Sequence, residues 1–331
     1  VSAFLLASSQ LAFPQETDKA IEVKPGDREK SDPRAGKKLA FIVGIEDYLD
    51  DEINDLEYAV DDARNFQKLL ADPKRGGFED IIMLTSDPSD EKQPTRDNIY
   101  IALNELIRRV EDQDTVVIFF SGHGYEWGNK YYLITVDTEL RTLESRAIEV
   151  GEFVDKAREI AGRAKNVIIF LDSCHAGGVL QSEKGIFGKG LDYGYYKPFA
   201  DAQGEVTTIA SCQAAQLAYE GDGNGIFTRC LLDALDGAAD NDGNGFVDLV
   251  ELYNYIENEV PARVDRLYPG KKQTPIGYAN LEHVNIHIAR CKEPGYLTVN
   301  VRPKFGRVAT RIDDEIIHES VVDYRLNPGK H

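Results

Sequence analysis

Two short stretches of this sequence hold residues suited to nucleophilic chemistry. Ser121-Gly122-His123-Gly124 sets an imidazole between glycines, and Asp172-Ser173-Cys174-His175-Ala176-Gly177 sets a thiol 51 residues further on. A thiol attacks as its thiolate, and an imidazole within reach takes the proton. The glycines let a substrate backbone approach closely, and small residues expose main-chain N–H groups that can hold an oxyanion. His175 is a second imidazole beside the thiol, but successive residues point apart, which disfavours that pairing.

Both motifs end strongly apolar runs, TVVIFFSG (115–122) and NVIIFLDS (166–173). Three further runs of this kind are KLAFIVGI (38–45), DIIMLTS (80–86) and EVTTIAS (205–211), with PIGYANL (275–281) as a last extended piece. Between them, helical spacing of apolar residues recurs at 57–71, 95–110, 151–162, 226–236 and 248–260, and Thr95 stands where an N-cap is expected. KYYLITVD (130–137) reads as two short strands or a hairpin arm. Strands apolar on both faces and separated by helices imply an α/β fold, a three-layer α/β/α sandwich with a mostly parallel sheet. In such sheets the carboxyl ends of strands carry the site, which is where His123 and Cys174 fall.

Composition narrows the partners. The 331 residues include 38 Lys+Arg and 57 Asp+Glu, a formal net charge of −19. That charge excludes nucleic-acid phosphates and anionic lipid as main partners and leaves basic peptides, polyamines and metal ions. Four widely spaced cysteines, Cys174, Cys212, Cys230 and Cys291, form no CxxC pair, so neither a zinc site nor a disulfide framework is expected. No apolar stretch reaches the roughly 18 residues of a transmembrane helix, so no integral membrane segment is expected.

With both motifs in hand, the sequence resembles the caspase-like cysteine peptidases of clan CD, over about residues 38–290. The likeness is nearer to metacaspases and paracaspases than to true caspases, whose pattern is Q-A-C-x-G. The resemblance implies Cys174 as nucleophile, His123 as general base and acid, and an oxyanion hole made by the N–H groups of Gly122 and Cys174. Family members work as a Cys–His dyad, and no organic cofactor is expected.

Acidic residues suggest the specificity. Strand alternation turns Asp172 to the same side as Cys174, where a carboxylate suits a cationic side chain. By resemblance to metacaspases, Asp62 of the Asp61-Asp62 pair lines the primary pocket. By resemblance to paracaspases, the segment SCQAAQLAYEGDGNGIF brings Glu220 to it as well. Three carboxylates predict Arg or Lys before the scissile bond, with Arg favoured by bidentate pairing, and disfavour cleavage after Asp. Residues 46–62 add nine acids and no base, a field for basic peptide or an exposed acidic helix start.

Residues 240–251 read D-N-D-G-N-G-F-V-D-L-V-E. Asp240, Asp242, Asn244, the Phe246 carbonyl, Asp248 and Glu251 take positions 1, 3, 5, 7, 9 and 12 of an EF-hand-like loop, with Gly245 at position 6. Ca²⁺ is the expected ligand; the bland alternative is a well-capped helix start. Metacaspases commonly need calcium at a different acidic site, so the resemblance leads to the same ion separately.

The ends carry other signals. The chain starts at Val1, and AFLLASSQLAF (3–13) reads as the tail of a secretory signal, favouring an exported, periplasmic or extracellular protein. Polar residues 14–37 read as a linker. Residues 294–331 resemble a partial PEGA-like β-module, with strands at LTVNV (297–301) and RVATRI (307–312) followed by the Asp313-Asp314 turn signal; a two-stranded unit of this kind is expected to be poorly fixed. Residues 178–204, with Lys184, Lys189 and Lys197, read as a structureless loop and a candidate for self-cleavage. The reading that unites these signals is a cysteine endopeptidase cleaving after Arg or Lys and influenced by calcium. The alternatives are a non-catalytic caspase-like scaffold and a calcium-binding surface protein.

Overall fold

The computed structural model describes residues 36–128, 130–173, 192–202, 205–213, 216–221, 223–278, 287–291, 295–300, 310–312, 315–317 and 321–326; for 192–196 and from 295 onward this is the backbone path. The leader at 1–35 lies outside these residues, as do Cys174, His175, Lys184 and Lys189.

From the amino side run β1 (Lys38–Gly44), α1 (Ala59–Ala71), β2 (Asp80–Thr85), α2 (Arg96–Arg109) and β3 (Thr115–Ser121). A small antiparallel meander follows, made of β4 (Gly124–Trp127), β5 (Lys130–Leu133) and, past the one-turn helix α3 (Leu143–Arg146), β6 (Ile148–Glu149). KYYLITVD is therefore one hairpin arm. Next come α4 (Val150–Ala161), β7 (Asn166–Asp172), α5 (Asp192–Asp201) and β8 (Thr207–Ala210). The hairpin of β9 (Glu220–Gly221) and β10 (Asn224–Gly225) leads into α6 (Ile226–Asp233). Then follow β11 (Phe246–Asp248), α7 (Leu249–Leu267), β12 (Ile276–Tyr278) and β13 (His287–Arg290).

The main sheet has the order β12-β8-β7-β3-β1-β2, parallel throughout except for the antiparallel edge strand β12. Each central strand feeds two cores. Along β1, Leu39, Phe41 and Val43 join one core with Ile99, Leu103 and Leu106 of α2 and Phe153 and Ala157 of α4. Ala40 and Ile42 join the other with Phe66 and Leu70 of α1, Phe227 and Leu231 of α6, and Leu252 and Ile256 of α7. This is the three-layer α/β/α sandwich with a mostly parallel sheet, and it explains why the central strands are apolar on both faces. Thr95 caps α2 as expected, its side chain accepting the Asn98 N–H at 3.2 Å.

Three elements depart from the expected pattern. The stretch 178–204 is not wholly structureless, because Asp192–Asp201 within it form α5; Pro198 and a run of tyrosines conceal the helix, which buries Phe199. α7 does not stop at Val260 but continues through Pro261 to Leu267, since Val260 and Val264 extend its buried stripe past the lost hydrogen bond. In the tail, β14 (Gly295–Asn300) precedes a hairpin of β15 (Thr310–Ile312) and β16 (Glu315–Ile317), and β17 (Val321–Leu326) returns to pair with β14. The tail thus has four strands in two pairs rather than two strands. Among the described residues, no helix is long and apolar enough to cross a membrane.

The register of the sheet positions the site. Gly44, Ser121 and Asp172 lie in one row across the carboxyl ends of β1, β3 and β7. In sequence, His123 and Cys174 each stand two positions past that row.

Candidate active site

His123 follows β3 and is fixed on three sides. Its backbone N–H donates to the Tyr48 hydroxyl oxygen at 2.9 Å, and the Tyr48 ring stacks on the imidazole with centroids 5.1 Å apart. Its Nε2 lies 2.8 Å from the Asn54 carbonyl oxygen. A carbonyl only accepts, so Nε2 carries the hydrogen and Nδ1 keeps its lone pair. Burial pushes the imidazole down to about 4, so it stays neutral at ordinary pH.

Beside His123 opens a cavity of about 320 Å³ lined by Asn54, Leu56, Asp62, Asp172, Leu217 and Glu220, among others. Asp62, Asp172 and Glu220, drawn from α1, β7 and β9, are therefore brought to one pocket. Asp172 accepts from the Thr228 hydroxyl at 2.7 Å and the Thr228 N–H at 3.2 Å. Asp62 accepts from Asn224 Nδ2 at 2.8 Å, the Gly225 N–H at 3.0 Å and the Ser121 hydroxyl at 3.2 Å. Both carboxylates gather at the start of α6, whose N-cap Gly225 has no side chain of its own to offer. A Cβ on Gly225 would meet Asp172 Oδ2 at 2.7 Å and Asp62 Oδ2 at 3.0 Å, so only glycine fits between them.

The pocket acids hold their protons above the usual carboxylate range. Burial raises Asp172 to about 6 despite its donors. Burial, reinforced by the charge of Asp172, raises Asp62 well above its ordinary value, and burial raises Glu220. No cationic side chain hydrogen-bonds to any of the three among the described contacts. Of the nine acids in 46–62, Glu46, Asp50, Asp55 and Asp62 accept backbone N–H groups within the fold, so the segment is braced rather than merely an exposed acidic field.

The Gly122 N–H, expected from the resemblance to help hold an oxyanion, donates to the Asp172 carbonyl at 3.2 Å and so links the two strand ends in this structure. Gly122 serves by its size: a Cβ there would press on Phe120 and, at 3.3 Å, on the Tyr48 hydroxyl that holds His123. Ser173, the last described residue before Cys174, is buried.

The loop 240–251 closes on itself as an oxygen-rich turn. Ligand oxygens of Asp240, Asp242 and Glu251 lie within 4.8 Å of one another. Gly245 turns through the left-handed region with φ +85° and donates its N–H to Asp240 Oδ2 at 3.1 Å. The other oxygen, Asp240 Oδ1, is buried and has no hydrogen-bond partner among the described residues. Asp248 and Glu251 form a reciprocal capping box on α7, at 2.8 and 3.2 Å. The same side chains therefore serve helix capping and fit a hard cation, and the orphaned oxygen is the part that capping leaves unexplained.

Sequence reasoning missed Asn54, Tyr48 and Gln273. Asn54 acts through a backbone carbonyl, which has no signature in sequence. Tyr48 sits within an acidic run that drew attention to charge. Gln273 is fully buried; its side chain accepts from the Tyr219 N–H at 3.0 Å and donates to the Ser211 carbonyl at 3.1 Å, stapling the pocket wall.

Comparison with known proteins adds a family. A family model described as the caspase domain matches residues 37–285. Metacaspase-1 of Pyricularia oryzae is 36% identical over 90 residues, 27% of this chain and 22% of that protein. Metacaspase-1 of Saccharomyces cerevisiae is 29% identical over 166 residues, 46% of this chain and 37% of that protein. Metacaspase-7 of Arabidopsis thaliana is 29% identical over 157 residues, 44% and 36% respectively. The chain thus spans well under half the length of these curated relatives. Among solved structures, protein GSU0716 from Geobacter sulfurreducens superposes with a TM-score of 0.51 at 16% identity, covering 77% of this chain and all of that one, a likeness of fold.

Proposed function

The chain belongs to the caspase-domain family, and on that premise we propose that it is a cysteine endopeptidase cleaving peptide bonds after Arg or Lys. The observation that carries this reading is the pocket beside His123, with Asp62 and Asp172 buried in it, both raised, and no cationic side chain bonded to them among the described residues. Apolar Leu56 and Leu217 would flank the aliphatic stem of a long basic side chain, and the acids would meet its charge.

In this mechanism the Cys174 thiol gives its proton to His123 Nδ1 as the sulfur attacks the scissile carbonyl. The Asn54 carbonyl holds the Nε2 hydrogen, fixing the tautomer and steadying the imidazolium that forms. The Cys174 N–H would be called on to hold the developing oxyanion. His123 returns the proton to the leaving amine, then draws one from water to release the acyl group and restore the thiol.

The loop 240–251 is proposed as a Ca²⁺ site held by Asp240, Asp242, Asn244, the Phe246 carbonyl, Asp248 and Glu251, and the orphaned Asp240 Oδ1 supports it. Bound calcium would neutralise the clustered carboxylates and stiffen the entry to α7. The strand pairs at 295–326 are compatible with a PEGA-like surface module.

Fluorogenic peptides ending in Arg, Lys or Asp, assayed with and without calcium, test the reading. Release from Arg and Lys peptides alone, abolished in Cys174→Ala and His123→Ala, is expected. No release from any of them by the folded protein would favour a non-catalytic scaffold or a calcium-binding surface protein. Intact mass, with Cys174→Ala as control, tests self-cleavage within 178–204.

A further inference from the structure

α1 opens without a cap of its own. Tyr58 stands at the N-cap, and its side chain accepts nothing from the helix. Carboxylates from distant segments satisfy the amides instead. Glu46 Oε2 accepts the Val60 N–H at 3.1 Å. Glu220 Oε1 accepts from Glu57 and Tyr58, each at 3.2 Å, and its Oε2 accepts from Glu57 at 3.3 Å. Both oxygens of Glu220 are thus engaged with backbone, a charge-assisted contact at the positive end of a helix.

The rest of the β9–β10 hairpin grips the same helix, because Asn224 and Gly225 donate to Asp62. The hairpin is held from behind as well. The Tyr268 hydroxyl, just past α7, donates to the Glu220 carbonyl at 2.7 Å, and its ring lies 4.9 Å from that of Tyr219. The stretch that Glu220 holds begins three residues after Asn54, whose carbonyl orients His123.

We propose that Glu220 is a positioning residue for His123, a clasp that fixes the segment from Asn54 to Tyr58 and with it the carbonyl that holds the imidazole. The kinetic consequences rest on the peptidase reading; the placement of the imidazole does not. Asp62 and Asp172 then carry the charge recognition.

Three variants separate a clasp from a charge receptor. Glu220→Gln keeps an acceptor oxygen and loses the charge. Glu220→Asp keeps the charge and is too short to reach both amides. Glu220→Ala loses both. With an Arg-terminated peptide, the clasp predicts that Gln stays within about 3-fold of wild type, while Asp and Ala lose about 10-fold or more in kcat with KM changed less. The His123 ring protons, followed by NMR, should titrate low in wild type and Gln and move up towards the ordinary imidazole range in Asp and Ala, as water reaches the ring. A rise in KM shared by Gln and Ala, with kcat unchanged and Asp like wild type, would overturn the proposal, as would a His123 titration unmoved in Asp and Ala. A wild type that hydrolyses nothing would remove the peptidase reading instead, leaving the NMR titration to decide the clasp.

Discussion

The hydroxyl of Tyr48 accepts the backbone N–H of His123 at 2.9 Å and donates to the Ile45 carbonyl at 3.2 Å, tying the loop after β3 to the end of β1. Tyr48→Phe keeps the ring against the imidazole but leaves the buried His123 amide unpaired. The expected cost is about 1 to 3 kcal/mol of stability, read from denaturant unfolding. A fall in kcat of about 10-fold with little change in KM should accompany it. A variant as stable and active as wild type would mean that the ring alone holds His123.

The pocket acids set a pH dependence. Because folding raises Asp172 to about 6, the folded state takes this proton more readily than the unfolded chain. That contribution to stability is therefore full at low pH and is lost as pH rises through about 6. A cation in the pocket relieves the resulting charge, so arginine amide should raise the melting temperature more at about pH 7.5 than at about pH 5. On Arg peptides, kcat/KM should climb with an acid limb near 6, since His123, held down to about 4, is already neutral there. Asp172→Asn should lower kcat/KM by about 100-fold and remove that limb.

Gly225 is the gap between Asp62 and Asp172. Gly225→Ala would drive a methyl onto Asp172 Oδ2, 2.7 Å away. The expected result is a KM for Arg peptides raised about 10-fold or more and a stability loss of about 1 to 3 kcal/mol, from steady-state kinetics and unfolding curves.

Calcium at 240–251 should be visible without catalysis. At about 100 times Kd it would add about 2.7 kcal/mol, seen as a melting temperature that falls on chelation. Glu251→Gln should abolish that response. A melting temperature indifferent to calcium and chelator would leave the loop as the cap of α7 and nothing more.

Much of this was legible in the sequence because the parallel sheet forces it. Apolar runs announced the strands, and the motifs after β3 and β7 pointed to the strand ends beside which the pocket opens. Period-two alternation alone turned Asp172 towards the pocket. Asp62 and Glu220 could be reached only by family resemblance, because their approach depends on a hairpin more than 150 residues from α1. The link from the Gly122 amide to the Asp172 carbonyl was hidden, being a matter of backbone pairing. α5 and the end of α7 were hidden because proline reads as a stop even where burial carries the helix through it.

On the peptidase reading, the row of Gly44, Ser121 and Asp172 makes the spacing of the proposed His123–Cys174 dyad a discrete quantity. The loops bearing His123 and Cys174 start from adjacent strands whose ends are level, one inter-strand spacing of about 4.8 Å apart. Sliding one strand by a single residue would move its loop about 3.3 Å and turn its side chains to the opposite face. Misregistered molecules would therefore be inert rather than slow. On the peptidase reading, a flawed preparation titrated with an irreversible Arg-directed peptide inhibitor should show fewer active sites per chain and an unchanged turnover for each one that titrates.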